Sequence, residues 1–219
     1  MPTMQGIKDL QHVTISVSDV DRSIAFYRDL LGLPAVGRLN SRNELGQMID
    51  FFDVGHGALV ELVSFSAPTK PSEWLRNDLQ TGLRHIGFKV RDVDAEVARL
   101  KAVGVAFTME PTNAVGGVRI AFFKDPDGTL LELLQGELQY HKAGTAVPVV
   151  NEQPSEERRL VFDHVAISVN NLDETLRCYR DLLGFRCWAS SSSTTRVASS
   201  LRMSRLAPAC WSSSASPAR

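Results

Sequence analysis

A motif that recurs three times constrains this chain more than any other feature, because copies of one unit fold alike and pack against one another. Leu10-Gln11-His12-Val13-Thr14-Ile15-Ser16-Val17 returns as Leu83-Arg84-His85-Ile86-Gly87-Phe88-Lys89-Val90, and again as Phe162-Asp163-His164-Val165-Ala166-Ile167-Ser168-Val169. Apolar residues alternate with others in each copy, the two-residue period of a strand with one buried face. Each copy therefore predicts a strand that carries a histidine on its less apolar face.

A helical pattern follows each strand. In the first copy it is Ile24, Phe26, Tyr27, Leu30 and Leu31, closed by Gly32. In the second it is Val97, Leu100 and Val103, closed by Gly104, and in the third Cys178-Tyr179-Arg180-Asp181-Leu182-Leu183-Gly184 mirrors Phe26 to Gly32. A glycine at such a stop suits the left-handed residue that ends many helices. The first two copies share a second half as well. Gly57-Ala58-Leu59-Val60-Glu61-Leu62 matches Gly128-Thr129-Leu130-Leu131-Glu132-Leu133, each strand following a turn and an incoming strand, Met48 to Asp53 and Arg119 to Lys124. Each pair predicts a hairpin. With shorter strands near Pro34 to Arg38 and Ala106 to Met109, the fold class is α+β: two modules of strand, helix and three strands (βαβββ), at 8–66 and 83–136, within a domain 1–136 that forms one metal-binding cup. A polar linker, 137–160, leads to a partial third module at 161–187. The tail 188–219 is rich in Ser, Ala and Arg without Asp, Glu or His. It reads either as a disordered low-complexity segment or as the product of a shifted reading frame, since the module's grammar breaks off near Trp188.

Composition narrows the partners. The chain has 219 residues, 43% hydrophobic, with 24 Lys and Arg against 25 Asp and Glu. That balance supplies no field for nucleic acid or an anionic membrane surface, so the expected partner is a small molecule. No apolar run approaches the ~18 residues of a membrane span and the start has no secretory signal pattern, which sets the expected location as cytoplasmic. Cys178, Cys187 and Cys210 show no CxxC spacing and read as ordinary thiols.

A glutamate inside an apolar strand is costly without a partner. Here two such glutamates, Glu61 and Glu132, stand at matching places, as do His12 and His85. If the strands curve with their helices outside, all four face one cup, and two imidazoles with two carboxylates suit a divalent Ni, Co, Fe, Mn or Zn ion with positions open to substrate. His56, in a turn without a counterpart, reads as a surface residue and Glu44 as a loop charge. Lys89 and Arg119 read as solvated strand residues, with neutralising an acidic substrate as the other option.

These features resemble the glyoxalase, bleomycin-resistance and extradiol dioxygenase superfamily, the vicinal oxygen chelate proteins: the His-led strands, the Asp125-Pro126-Asp127-Gly128 turn and the Gly-x-Leu-x-Glu-Leu strands. The resemblance implies paired modules around one metal that substrates chelate through neighbouring oxygens. His12, Glu61, His85 and Glu132 resemble the ligand set of bacterial glyoxalase I. Ser72-Glu73-Trp74-Leu75 and Gly82 to Ile86 look more like methylmalonyl-CoA epimerases. The resemblance to glyoxalase I stops at two positions that would serve glutathione, where Arg and Asn are replaced by Ser16 and Phe65.

The function expected is a metal-dependent isomerase or lyase that moves a proton next to a carbonyl, with Glu132 or Glu61 leaving the metal to act as general base. The alternatives are an Fe(II) ring-cleaving dioxygenase using His12, His85 and Glu132, and a non-catalytic drug-binding protein. No carboxylate strand follows His164, so that histidine is expected to bind no metal. The apolar face of its strand and helix is expected to dock on the first domain, to pair in a homodimer or to stay loosely folded.

Overall fold

The computed structural model describes residues 10–71, 80–114, 116–137 and 153–185. The readings made for Ser72 to Leu75, for most of the linker, for Cys187 and Cys210 and for the tail lie outside the described residues.

The first module begins with β1 (His12–Ser16), whose alternation becomes burial: Val13 and Ile15 are buried while His12, Thr14 and Ser16 are exposed. Helix α1 (Val20–Ile24) is capped by the Asp19 side chain, which accepts from the Arg22 amide, and it runs on into a π-helical stretch (Ala25–Leu30). Gly32, at φ 76°, ends it. Strands β2 (Ala35–Asn40), β3 (Met48–Asp53) and β4 (Leu59–Ser64) follow. The sheet order is β1-β4-β3-β2, with β1 parallel to β4 and both β3 pairings antiparallel.

The second module repeats this plan with β5 (Gly82–Lys89), α2 (Val93–Ala102), β6 (Phe107–Ala114), β7 (Val118–Lys124) and β8 (Leu130–Gln135). The third supplies β9 (Val161–Ser168) and α3 (Leu172–Leu176), which also runs into a π-helical stretch (Arg177–Leu182). β9 joins the second sheet, which is ordered β6-β7-β8-β5-β9, and lies antiparallel to β5. Of the three fates expected for the third module, its strand has taken the first and docks on the preceding modules.

One hydrophobic core unites all three. It contains Val13, Tyr27, Leu31 and Leu62 from the first module, Phe88, Val97, Leu100 and Leu133 from the second, and Leu160, Phe162 and Val165 at the start of the third. Polar contacts also stitch the modules together, notably at two turns. The β7–β8 turn offers Asp125 to the buried Tyr27 hydroxyl at 2.9 Å and Asp127 to Ser18, Arg22 and Ser23. The β3–β4 turn gives its Val54 carbonyl to the Phe162 amide at 2.7 Å and Asp53 to Arg158. No helix among the described residues is long and apolar enough to cross a membrane.

Candidate metal centre

The pairing of β5 with β9 decides which residues meet. β5 spends the amides on one edge on β8, as in the Val90 bond to Leu134, so His85 and Gly87 turn their backbone groups to the other edge. There the register sets His85 opposite Ala166 and Gly87 opposite His164. The two imidazoles enter the same space, their Nε2 atoms 3.0 Å apart. Glu132 reaches it from β8, with Oε2 3.2 Å from His85 Nε2 and 3.0 Å from His164 Nε2.

Gly87 makes room for this meeting, since a Cβ at that position would overlap the His164 ring. A glycine within a strand often marks such a close approach. Asp163 fixes the far side of His164, its Oδ1 lying 2.8 Å from Nδ1. If Nδ1 carries the proton toward that carboxylate, Nε2 keeps its lone pair for the space shared with Glu132.

Burial and close pairing together give these groups unusual acidities. His85 is pushed below its ordinary value by desolvation, which outweighs the attraction of Glu132. Desolvation opposes ionisation of Glu132 as well, but the closeness of His164 and His85 prevails and brings its carboxyl to about 2. Desolvation would also lower His164, yet Asp163 and Glu132 raise it to about 9.

The donor set fits a divalent ion. Glu132 Oε2 is buried without a hydrogen bond of proper geometry, although two imidazole nitrogens stand beside it. Buried acceptors are seldom left so. Donors spaced 3.0–3.2 Å apart match neighbouring corners of a coordination shell with bonds of about 2.1 Å. Among the described residues this trio is the group of His, Cys, Asp and Glu donors close enough to share an ion.

The sequence placed His12, Glu61, His85 and Glu132 together, and the structure brings them together only in pairs. His12 Nδ1 lies 3.7 Å from Glu61 Oε1 on the first sheet, and Thr14 donates to Glu61 Oε2 at 2.9 Å. The first sheet ends at β1, so no second histidine strand reaches this pair among the described residues. His164, expected to stand without a partner, is instead the third member of the trio. Its carboxylate comes from β8 of the second module rather than from a later strand of its own.

Three other expectations change or find their place. Lys89 is not solvated: it is 2% exposed and paired with Glu137, because β9 covers its strand. Arg119 is held by Asp94 at 2.6 Å and by Asn113 rather than turned to the trio. His56 sits in the β3–β4 turn at φ 55°. A cavity of about 410 Å³ between α2 and residues 155–159 carries charges of both signs, and none of the three donors lines it.

The sequence model of the Glyoxalase/Bleomycin resistance protein/Dioxygenase superfamily matches residues 9–133. The chain belongs to this superfamily. A probable lactoylglutathione lyase of Vibrio parahaemolyticus is 35% identical over 130 residues, covering 58% of this chain and 89% of that protein. A lactoylglutathione lyase of Arabidopsis thaliana is 29% identical over 178 residues, which are 80% of this chain and 54% of that protein. The crystal structure of glyoxalase I from Zea mays superposes with a TM-score of 0.61 at 25% identity, over 82% of this chain and 56% of that one. The chain spans about half the length of these two larger superfamily relatives.

Proposed function

We propose that this protein is a divalent-metal-dependent lyase or isomerase of the glyoxalase type, acting on a small substrate with neighbouring oxygens. The observation that carries the reading is the convergence of His85 Nε2, His164 Nε2 and Glu132 Oε2 on largely buried side chains, with the carboxylate oxygen lacking a hydrogen bond. The names of the Vibrio and Arabidopsis relatives support the reaction class. A bound ion would polarise the substrate's oxygens and stabilise the negative charge that develops when a proton leaves the neighbouring carbon.

The residues divide the remaining work. His85 and His164 would hold the ion through their Nε2 atoms, and Asp163 orients the second of them. Glu132 is the buried carboxylate within reach of the same space, and it takes the proton and returns it to the adjacent carbon. Phe122 packs edge-on against His85, with ring centroids 5.1 Å apart, and limits the water that competes for that proton. Glu61 is not part of this cluster, so the general-base role passes to Glu132.

A second reading has its own observation. Two histidines and one carboxylate make the donor set of the facial triads that bind Fe(II) for oxygen chemistry. Purified protein, stripped and reloaded with Ni, Co, Mn, Zn or Fe(II), separates the two when given a hemithioacetal of a 2-oxoaldehyde and, in parallel, a catechol. Metal-dependent isomerisation without oxygen uptake supports the lyase, and oxygen uptake on the catechol supports the dioxygenase. Wild-type activity in Glu132→Gln would exclude both.

A further inference from the structure

The cavity beside α2 lies apart from the metal trio. Val90 forms part of its wall and continues β5 with the same parity as Ile86 and Phe88, which pack in the core, whereas His85 and Gly87 face the other side of the sheet. The cavity and the trio therefore sit on opposite faces. One wall is a stripe of α2 on which Asp92, Ala95, Glu96 and Arg99 follow one another at helical spacing. The facing wall is the segment 155–159 that leads into β9, so the walls come from the second module and from the approach to the third.

The two ends of the cavity differ in charge. At one, Arg99 donates to the Leu30 carbonyl at 2.9 Å, and Arg159 lies against Gly32, with Nη2 3.5 Å from where a Cβ would stand. At the other, Asp92 caps α2 by accepting from the Ala95 amide at 3.0 Å, and Glu156 stands 4.0 Å from Arg91. The three arginines and three carboxylates of the lining cancel in sum but not in place. Glu96 is buried and takes up Arg99, whose Nε lies 3.0 Å from both carboxylate oxygens. Among the described residues Arg159 pairs with no carboxylate and Asp92 with no cation, which leaves one spare charge of each sign. Seven residues of helix separate Asp92 from Arg99, a rise of about 10 Å.

We propose that this cavity binds a small zwitterion, a peptide of two or three residues, with its carboxylate on Arg159 and its ammonium on Asp92. A simple anion would face Asp92 and Glu156, and a simple cation would face the arginines, whereas a zwitterion meets an opposite charge at each end. The length fits, since an extended chain advances about 3.3–3.6 Å per residue and a di- or tripeptide spans about 7–10 Å. The volume of about 410 Å³ fits as well, within the range of small-molecule sites. Ser155 accepts from the Arg158 amide at 3.0 Å and keeps its own hydroxyl hydrogen for a peptide carbonyl. Val90 and Ala95 supply apolar surface between the ends. A ligand that spans both walls ties the approach to β9 onto α2, and so favours the docked third module.

Isothermal titration of the full chain with triglycine, with and without chelator, tests the proposal. The expected result is a single saturable site per chain that chelator leaves unaffected. N-acetyl-triglycine, which lacks the ammonium, and triglycinamide, which lacks the carboxylate, should each bind about tenfold more weakly or worse, the effect of losing one charged hydrogen bond. Arg159→Gln should cost triglycine a similar factor and leave triglycinamide unaffected. Ala95→Leu, at an exposed helix position, should fill the cavity and abolish binding. Absence of binding at millimolar triglycine, equal affinity for all three peptides, or affinity that both substitutions leave unchanged overturns the proposal. Inorganic phosphate bound in place of the peptide would make this an anion site, and binding lost in chelator would place the peptide on the metal; either result also overturns it.

Discussion

The first and third modules begin with closely matching sequences and bury opposite halves. In the first, Tyr27, Leu31 and Leu33 are almost wholly buried, while β1 leaves one edge open. In the third, β9 is buried along nearly all of its length, while α3 and the π-helical stretch after it contain no buried residue. Tyr179, the counterpart of Tyr27, meets Phe185 at a ring distance of 6.0 Å instead of a buried carboxylate. Each module has a strand edge and a helix face that need neighbours, and the second module provides one of each. Its turn at Asp125 to Asp127 meets the first module's helix, and its β5 meets the third module's strand. Environment, and not local sequence, decides what the same motif contributes.

The largest test of this contrast compares equivalent leucines. Leu31→Ala should cost about 2–5 kcal/mol, because Leu31 is 1% exposed in a shared core, whereas Leu183→Ala should cost under about 1 kcal/mol. Denaturant unfolding of both variants checks it, and equal losses would show that the third helix is covered after all.

Next in size is a pH effect specific to β9. His164 sits at about 9 when metal-free, above its ordinary 6.5, so the stability from its protonated form is complete below about 6.5 and is lost as pH rises through about 9. Thermal unfolding of the stripped protein should therefore shift downward between neutral pH and pH 10. His164→Gln should flatten that slope, and His12→Gln should leave it intact. Metal-loaded protein should lose the dependence, because the ion replaces the proton.

Gly87→Ala should cost about 1–3 kcal/mol by forcing the His164 ring aside, and it should weaken metal binding in an isothermal titration. An unchanged affinity would mean that β9 does not hold His164 in place. The smallest effect concerns the module latch. Tyr27→Phe should cost about 1 kcal/mol, since it removes the hydroxyl that binds buried Asp125, and Tyr179→Phe should cost nothing measurable. Equal costs would contradict the asymmetry between the two helices.

Much of this architecture was legible in the sequence, and its failures are local. The strand at Met48 to Asp53 appears at the expected limits because it runs into a turn that the second module repeats. β6 runs to Ala114, five residues beyond the expected end at Met109, since its pairing with β7 carries it through Pro111 at an irregular register. At the candidate site the donor types were readable, because a lone glutamate among leucines needs a reason. The grouping was not, because it depends on which strand edges meet, a property of the assembled sheet that no local period encodes. Gly87 was the available clue, a glycine in the interior of a strand, between Ile86 and Phe88, at the place where the His164 ring enters.

The π-helical stretches bear on how the three copies are related. Gly32 stands 20 residues after His12 and Gly184 stands 20 after His164, but Gly104 stands only 19 after His85. The two longer intervals hold the π turns, and the shorter one holds a regular helix of ten residues. A π turn accommodates one extra residue without displacing what comes after it, so the helix stop keeps its place while the count changes. First and third modules share this insertion and the second lacks it. By this spacing the first and third modules are the more similar pair, although in the folded chain the third lies against the second.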